Sequence, residues 1–300
     1  YHLMPKISPE PSLMKQTLGN PIAILAYALS ICVVSSAVAQ EWVMSRDHHS
    51  WGRFSKGSWK QVRVLTDVLN EDNEVTSTSK VETTSQIIDR LGDTFALEID
   101  VKTIVGERAF ESPTQKVKRE YQGKGKITIS APIERATLEI SGTMIQVEIR
   151  EVTLVTKNER RISQIHYSPD LAPFIFKRST KAYDAENNLR YETNMVVEEF
   201  GIAHKVVGET HRVARIKTVH KQNGTHRVTE ELFSEKVPGG VIAHTSTDID
   251  QKTNRVTKRS KLEIIDFAVG NNGGKRKENK EGKPGKPKVK SESDNESDSE

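Results

Sequence analysis

From residue 59 onward, apolar and polar residues alternate along most of the chain. Over residues 95–105 the odd positions are apolar or Thr, and the even positions are mostly charged. Successive side chains of a strand point to opposite faces, so this pattern predicts strands with one buried and one solvated face. Residues 144–155 alternate similarly, with a change of phase near Glu151 and Val152 that predicts a β-bulge.

A hairpin is predicted where the dipeptide Asn223-Gly224 interrupts an alternating stretch. Asn-Gly favours a two-residue type I′ turn. A turn at this position sets Val219 opposite Val228, a favourable cross-strand pair.

Three segments share a strand, a polar turn and a second strand: residues 62–84, 174–200 and 241–267. The second and third align without gaps at an offset of 65 residues, which indicates a duplicated hairpin. Roughly a dozen strands without interspersed helices predict an all-β fold. The predicted architecture is an antiparallel meander, curled into a half-barrel or packed as a sandwich, with internal hairpin repeats.

One helix start is visible within this region. Ser112 and Pro113 suit the N-cap and first position of a helix, which predicts a short helix in the residues that follow.

The amino-terminal part of the chain is typical of a signal peptide. Residues 21–34 are uncharged and largely apolar, Lys15 precedes them, and an A-x-A site ends at Ala39. A transmembrane anchor is the alternative, but 14 residues of helix reach about 21 Å, and a bilayer core requires roughly 20 residues. We expect cleavage after Ala39, with Met14 as an alternative start.

Cys32, the single cysteine, lies inside this leader. The bulky Ile31 before it disfavours lipidation at Cys32. A chain cleaved after Ala39 has no cysteine and therefore no disulfide or Cys-based metal site. Export without disulfides fits a bacterial envelope, so we expect the periplasm or the extracellular space.

Charge separates the end of the chain from its body. The chain has 45 Lys and Arg against 41 Asp and Glu, a net charge of +4. The first part of residues 271–300 is basic and the last part is acidic, and Val289 is the single aliphatic residue among them. Such a segment has too little apolar surface to bury, so a disordered charged tail is predicted. The body carries about +2, which gives no indication of specific nucleic-acid binding. The predicted divisions are the signal peptide 1–39, one β domain 40–270 and the tail 271–300.

Candidate chemistry is sparse. Sequence motifs for a nucleophile elbow, a zinc helix or a phosphate loop are absent from the sequence. Adjacent His48 and His49 point to opposite sides of an extended segment, and the hairpin register puts His220 and His226 on opposite faces. We therefore predict no metal, no cofactor and no catalytic residue. A hydrolase, the enzymatic alternative, requires a cleft with converging carboxylates or histidines.

Aromatic residues cluster near the start of the predicted domain. Trp42, Trp51 and Trp59 enclose Phe54. Such a cluster serves either as a ligand-stacking lid or as a plug closing one end of the sheet, and we favour the plug because Trp buries a large area.

One segment resembles a known group of proteins. Residues 142–173 run from Gly142 through a strand, a polar turn at Lys157-Asn158 and a second strand to the sequence YSPDLAP. This pattern resembles uncharacterised exported β-rich proteins, which are similar in turn to LolA-type periplasmic lipoprotein carriers. The resemblance implies a curved half-barrel around an apolar, lipid-binding cavity, without catalytic residues.

The function predicted from these features is binding or carrying a lipid or other apolar envelope ligand. The residues predicted to line the cavity are Phe95, Leu97, Ile99, Val101, Val147, Ile149, Trp51 and Trp59. The alternative is a structural or interaction module of the cell envelope without a small-molecule ligand.

Overall fold

The computed structural model describes residues 44–106 and 108–270, which belong to one compact unit. The predicted leader and tail lie outside the described residues. Within the described ranges, a 3-10 turn at Arg46–His48 is the sole helical element. The strands are β1 (Trp59–Leu69), β2 (Val75–Leu91), β3 (Thr94–Val105), β4 (Arg108–Glu111), β5 (Gln115–Glu120), β6 (Lys126–Ile129), β7 (Glu134–Ile140), β8 (Thr143–Val155), β9 (Arg160–Tyr167), β10 (Ile175–Tyr183), β11 (Leu189–Val206), β12 (Glu209–Gln222), β13 (Thr225–Phe233), β14 (Val241–Asp250) and β15 (Val256–Ala268).

These strands form one antiparallel sheet, which confirms the predicted all-β meander. Its order is β4-β3-β2-β1-β15-β14-β13-β12-β11-β10-β9-β8-β6, with β5 also on β3 and β7 also on β8. The first and last strands, β1 and β15, are neighbours, so they lie inside the sheet rather than at its margins. No helix within the described ranges is long and apolar enough to cross a bilayer.

The connection between the two margins requires the sheet to curl. β5 lies at one margin and β6 at the other, yet five residues, 121–125, join them. Five residues reach about 20 Å at most, whereas thirteen strands laid flat extend about 60 Å across. The sheet therefore bends into an open curl, and no ladder joins its margins over the described ranges. This curled sheet matches the predicted class.

The curl gives the sheet a charged convex face and a concave face. On the convex face, the Arg63 guanidinium lies 3.0 Å from a Glu82 carboxylate oxygen and 3.4 Å from one of Glu263. Val62 points the other way and is buried, as strand alternation requires. The predicted one-sided burial is confirmed here.

The β7–β8 hairpin folds over the concave face of β10 to β12. The backbone N–H of Phe200 donates to the Ser141 hydroxyl at 3.4 Å, which joins the two layers. The layers share one apolar cluster, whose buried members are Ile140, Ile145, Val147, Phe176, Val197, Ala214 and Ile216. In this part of the molecule side chains fill the concave space.

Burial changes phase along β8 without a bulge. Ile145 and Val147 are buried in its first half, whereas Arg150 and Leu154 are buried in its second half. The ladders of β8 with β7 and β9 show no register shift. The predicted bulge is therefore wrong. The strand passes from one layer of the molecule to another, so its first half buries one face and its second half buries the opposite face.

β5 occupies the stretch that was predicted to be a short helix. Val117 pairs with Leu97 of β3, and the next aromatic residue, Tyr121, is buried. Pairing satisfies backbone groups along the open edge of β3. This outweighs the capping signal of Ser112 and Pro113, which is worth about 1 kcal/mol, so the helix prediction is wrong.

The β12–β13 hairpin has the predicted register. Val219 pairs with Val228 across the turn. Asn223 and Gly224 have φ values of 48° and 74°, the left-handed conformation that a type I′ turn requires. The local sequence is sufficient to determine this hairpin.

The three segments predicted as copies form the hairpins β1–β2, β10–β11 and β14–β15. Their turns share two features. A side-chain oxygen of the opening residue accepts backbone N–H groups within the turn, and the opening residues are Asn70, Asp184 and Asp250. An asparagine with positive φ closes each turn, and these are Asn73, Asn187 and Asn254. Their origin by duplication stays a prediction.

Candidate ligand-binding face

A row of hydroxyl side chains crosses the concave face. Ladder partners in an antiparallel sheet lie side by side and point to the same face. The register aligns six such residues on β2, β1, β15, β14, β13 and β12: Ser79, Thr66, Ser260, Ser246, Thr229 and Thr218. All six are half-buried, whereas Leu65 and Thr245, which point outward, are exposed. The row is therefore part of the interior of the curl.

The row continues through Met195 to Arg178 on β10. The Arg178 side chain is exposed to solvent. Nevertheless, the pKa of Arg178 is lowered, because the surrounding protein partly desolvates its charge. Arg178 therefore lies at the β10 end of the row, on the concave face.

Glu231 and Lys60 also lie on the concave face of the sheet. Glu231 lies two residues from Thr229 and so shares its face. Burial raises the pKa of Glu231, while the charges of Arg178 and Lys60 act in the opposite direction. Burial lowers the pKa of Lys60 to about 8, and the charge of Glu231 opposes that shift. Glu231 lies between the other two groups in strand order, since two strands separate β13 from β1 and two strands separate β13 from β10.

Lys60 is held where β1 meets the β13–β14 loop. Its Nζ donates to the carbonyl oxygen of Val241 at 3.2 Å. The same Nζ lies 5.8 Å from the ring centroid of Trp51, a cation–π distance. Gly239 leaves room for both groups, since a Cβ there would lie 2.9 Å from Nζ.

A second polar row lies further from the apolar clusters. Arg227 donates from Nε and Nη2 to the two carboxylate oxygens of Asp248, at 2.5 and 2.7 Å. These hydrogen bonds hold the pKa of Asp248 below its usual value. His220 Nδ1 lies 2.8 Å from the Thr193 hydroxyl oxygen. The paired charges make this row a structural network rather than an open site.

Residues 44–58, here called the plug segment, close one end of the concave face. Trp51 and Phe54 pack with Ile87 of β2 in one apolar cluster. Arg90 donates to the carbonyl oxygens of Gly52 and Phe54, each at 2.6 Å. Trp51 and Phe54 thus lie where the plug interpretation expects them, at one end of the sheet. Trp42 lies outside the described residues.

His48 and His49 diverge within the plug segment. His48 stacks on Phe174 at 4.1 Å between ring centroids, and its Nδ1 lies 2.6 Å from the Tyr167 hydroxyl oxygen. His49 contacts Phe95, at 5.3 Å between centroids, on the other side. Burial lowers the pKa of both histidines. Within residues 44–106 and 108–270, no three His, Cys, Asp or Glu side chains are gathered for a metal ion.

The structure also shows the surroundings of the second histidine pair. His220 and His226 point to opposite faces, as the predicted register requires. Both are half-buried rather than solvated. His226 Nε2 is buried without a hydrogen-bond partner.

A cleft of about 310 Å³ opens between the plug segment and β5. Trp51, Phe95 and Leu97 form its apolar wall. Its polar lining comes from His49, Ser50, Arg119 and Glu120. An apolar wall beside charged groups suits one amphipathic ligand.

The predicted lining residues are divided among several places. Trp51, Phe95, Leu97 and Ile99 meet in the cluster beneath the cleft. Val147 belongs to the separate β7–β8 cluster. Ile149 is buried, and Val101 and Trp59 are half-buried. The structure therefore does not bring all eight residues to one surface.

Sequence reasoning missed Lys60, Arg178 and Glu231. Each lies at a strand position that points to the same face as buried residues. Lys60 precedes the buried Val62 by two residues, and Arg178 follows the buried Phe176 by two. A charged residue at a core-phase position is the signal that marks them. Their position on one face of the same sheet depends on the register between distant strands, which adjacent sequence does not specify.

Comparisons with known proteins give no family for this chain. No family model matches it, and no curated protein matches it. Solved structures with some similarity include a "putative lipoprotein" of Parabacteroides distasonis, with 14% identity, a TM-score of 0.24, and coverage of 71% of this chain and 96% of that one.

Two further structures have comparable scores. A "putative exported protein with YmcC-like fold" from Bacteroides fragilis has 7% identity and a TM-score of 0.27, covering 71% of this chain and 97% of that one. A DUF1329 family protein from Desulfovibrio piger has 11% identity and a TM-score of 0.29, covering 72% and 86%. None of the three is named a LolA-type carrier, and scores this low support no conclusion about this chain.

Proposed function

We propose that the protein is an exported, non-enzymatic binding protein of the bacterial envelope that holds a lipid or other apolar ligand. The observation that carries this proposal is the cleft between the plug segment and β5. Trp51, Phe95 and Leu97 offer an apolar wall to an acyl or other apolar segment. Arg119 and Glu120 offer a charged rim to a polar end.

The size of the cleft limits what it encloses. Its volume of about 310 Å³ lies at the lower end of the range for small-molecule sites, roughly 300–1,000 Å³. Phe95 and Leu97 are 3% and 7% exposed, so they offer a small apolar area. The cleft therefore fits one segment of an amphipathic ligand rather than a whole lipid.

The side chains around the cleft support binding over catalysis. A serine hydrolase needs its hydroxyl hydrogen-bonded to a general base. Ser50 and His49 share the cleft, but no hydrogen bond joins their side chains, and His49 Nδ1 accepts from the backbone N–H of Trp51 at 3.1 Å. Export is supported by the signal-peptide pattern and the absence of cysteine after Ala39.

Filling the cleft tests the proposal. We expect Ser50→Trp to weaken binding of a fluorescent C16 fatty acid about tenfold or more, because the indole occupies the space that the acyl chain uses. Ser112→Trp is the matched control, since Ser112 is exposed and lies beside Val101 of β3, away from the residues that line the cleft. No binding by the unchanged protein, or equal binding by both variants, would refute the proposal.

Native mass spectrometry separates the proposed function from the interaction module. Protein purified from the periplasm is expected to carry a co-purified lipid or amphipathic molecule. A stoichiometric protein partner without such a molecule would favour the module instead.

A further inference from the structure

We propose that the concave face of six neighbouring strands, β2, β1, β15, β14, β13 and β12, binds an uncharged linear glycan chain that lies across the strands. The hydroxyl row, from Ser79 to Thr218, forms the floor of this site. The residues of the site are distinct from those that line the apolar cleft. The proposal therefore goes beyond the proposed function, because it assigns a second ligand chemistry to another surface.

The first support is the alignment of three parallel rows of side chains across these strands. Ladder partners point to one face, and positions two residues apart share that face, so neighbouring rows lie about 7 Å apart. The ladders show no register shift within the three rows. The row nearer the start of β1 consists of Val81, Val64, Leu262, His244, Glu231 and Ile216. The row on the other side of the hydroxyl row consists of Ser77, Val68, Lys258, Asp248, Arg227 and His220.

The second support is the order of chemistry across the rows. Val81, Val64 and Leu262 form an apolar strip on one side of the floor. Arg227 and His220 give a polar strip on the other side. A sugar has apolar C–H groups on its ring faces and hydroxyl groups at its edges, so it presents both kinds of surface along one chain. A floor of hydroxyls between an apolar and a polar strip therefore suits a sugar better than an acyl chain.

The third support is the hydrogen-bonding capacity of the floor. The Thr229 hydroxyl donates to that of Ser246 at 3.1 Å. Among the residues that the structure describes, the other four hydroxyls of the row have no hydrogen-bond partner in the protein: Ser79, Thr66, Ser260 and Thr218. Each hydroxyl both donates and accepts, so these half-buried groups are free to bond the hydroxyls of a ligand.

The fourth support is the charge balance of the face. The Lys, Arg, Asp and Glu side chains of the three rows are Lys258, Arg227, Asp248 and Glu231, two basic and two acidic. Arg227 also donates to both carboxylate oxygens of Asp248, at 2.5 and 2.7 Å, so these two charges neutralise each other directly. A surface without net charge has no strong attraction for an anion or a cation. An uncharged ligand therefore complements it.

The fifth support is the repeat of the hydroxyl row. Its six members follow one another at the spacing of neighbouring strands, about 4.8 Å, so the row extends about 24 Å. That spacing is close to the length that one sugar adds to an extended glycan chain. A chain lying along the row therefore meets a similar set of groups at each successive sugar, and its affinity should increase with its length.

Isothermal titration of the full chain with chitobiose and chitohexaose tests the site. Both probes are uncharged β-linked sugar chains, and they differ in length alone. We expect the hexasaccharide to bind about tenfold more tightly or better, because it contacts several strands of the row at once. Absence of hexasaccharide binding, or equal affinity for the two lengths, would overturn the proposal.

A pair of double variants locates the binding surface. Thr66→Val with Thr229→Val removes two hydroxyls from the row and keeps the branched shape of each side chain. We expect this variant to bind chitohexaose about tenfold more weakly, because hydrogen bonds to the ligand are lost. Thr245→Val with Thr247→Val is the matched control, since these threonines alternate with Ser246 on β14 and point to the convex face. An equal loss in the two double variants would refute the assignment.

Salt dependence gives an independent readout. Hydrogen bonds to an uncharged chain are screened little by salt, so chitohexaose affinity is expected to stay the same at low and high ionic strength. A steep loss of affinity with salt would contradict the uncharged character of the site. Failure of the fatty-acid assay with intact hexasaccharide binding would refute the apolar cleft while preserving this site, and the reverse result would do the opposite.

Discussion

At the scale of single residues, the interior of the curl alters the protonation of its side chains. Lys60 is enclosed beside Trp51 and the Val241 carbonyl, with Glu231 as the acidic group that acts on it. Its pKa of about 8 lies well below the ordinary 10.5. The enclosed charge therefore has a cost in stability that depends on pH.

Lys60→Met tests this cost. Between pH 8 and 10.5 the unfolded chain keeps the proton that folded Lys60 has lost, so the free energy of unfolding rises with pH. Relative to the Met variant, we expect the unchanged protein to gain up to ~3 kcal/mol between pH 7 and 10.5. Urea denaturation across this range measures the difference. Lys177→Met, on the exposed convex face, is the control, and identical pH profiles for the two variants would contradict the prediction.

Buried histidines give a second dependence on pH. Burial lowers the pKa of His48, His49, His166 and His244 from the ordinary 6.5. As the pH falls through 6.5, the unfolded chain takes up protons that the folded chain does not, so folding is weakened. We expect the free energy of unfolding to fall steadily from pH 7 to pH 5. A flat profile over this interval would contradict the assignment.

At the scale of elements, the β13–β14 loop locks the plug segment against the sheet. The Gly239 N–H donates to the Ser50 carbonyl oxygen at 3.0 Å. Gly239 has a φ of 74°, and a Cβ there would lie 2.8 Å from the Trp51 indole. The loop therefore requires glycine for both its conformation and its close approach.

Gly239→Ala tests this contact. Strain and overpacking together are expected to lower the free energy of unfolding by about 2 kcal/mol or more, with a shift in Trp emission. Gly57→Ala is the control, because Gly57 has a φ of 90° but open space around its Cβ position. The control is expected to lose about 1 kcal/mol from backbone strain alone. Equal losses would show that contact with Trp51 is unimportant.

At the scale of the whole molecule, the sheet depends on the pairing of its first and last strands. β15 pairs with β1 on one side and β14 on the other. Leu262 lies opposite Val64 and His244 in this central position. Without β15, the hairpins of β1–β3 lose their connection to the remaining strands.

Leu262→Pro tests this dependence. Proline removes a backbone donor from a central strand, so we expect loss of folded protein or a fall of ~3 kcal/mol or more in the free energy of unfolding. Leu262→Ala is the control, because it shortens the side chain and keeps the N–H. Circular dichroism with thermal denaturation measures both, and a Pro variant as stable as the Ala variant would contradict the argument.

Much of the fold followed from local patterns. The alternation of residues 95–105 predicted β3, and Asn223-Gly224 predicted the β12–β13 register residue by residue. Trp51, Phe95 and Leu97 lie beside the cleft, and their role in binding a ligand stays a prediction. The short helix failed because Val117 pairs with an edge formed by residues some twenty positions earlier.

The sequence by itself determined most of the stretches that become strands, β5 being an exception, and the turn of the β12–β13 hairpin, because these properties depend on neighbours within a few positions. Only the tertiary structure decided what surrounds the side chains at these alternate, inward-pointing positions. The curl and the folded β7–β8 hairpin place Val147 in a packed cluster, whereas Arg178, which has the buried phase of Phe176 on β10, is exposed. The physical reason is that packed and exposed positions of this face show the same sequence alternation. Strands distant in the sequence determine whether apolar atoms or water cover each position.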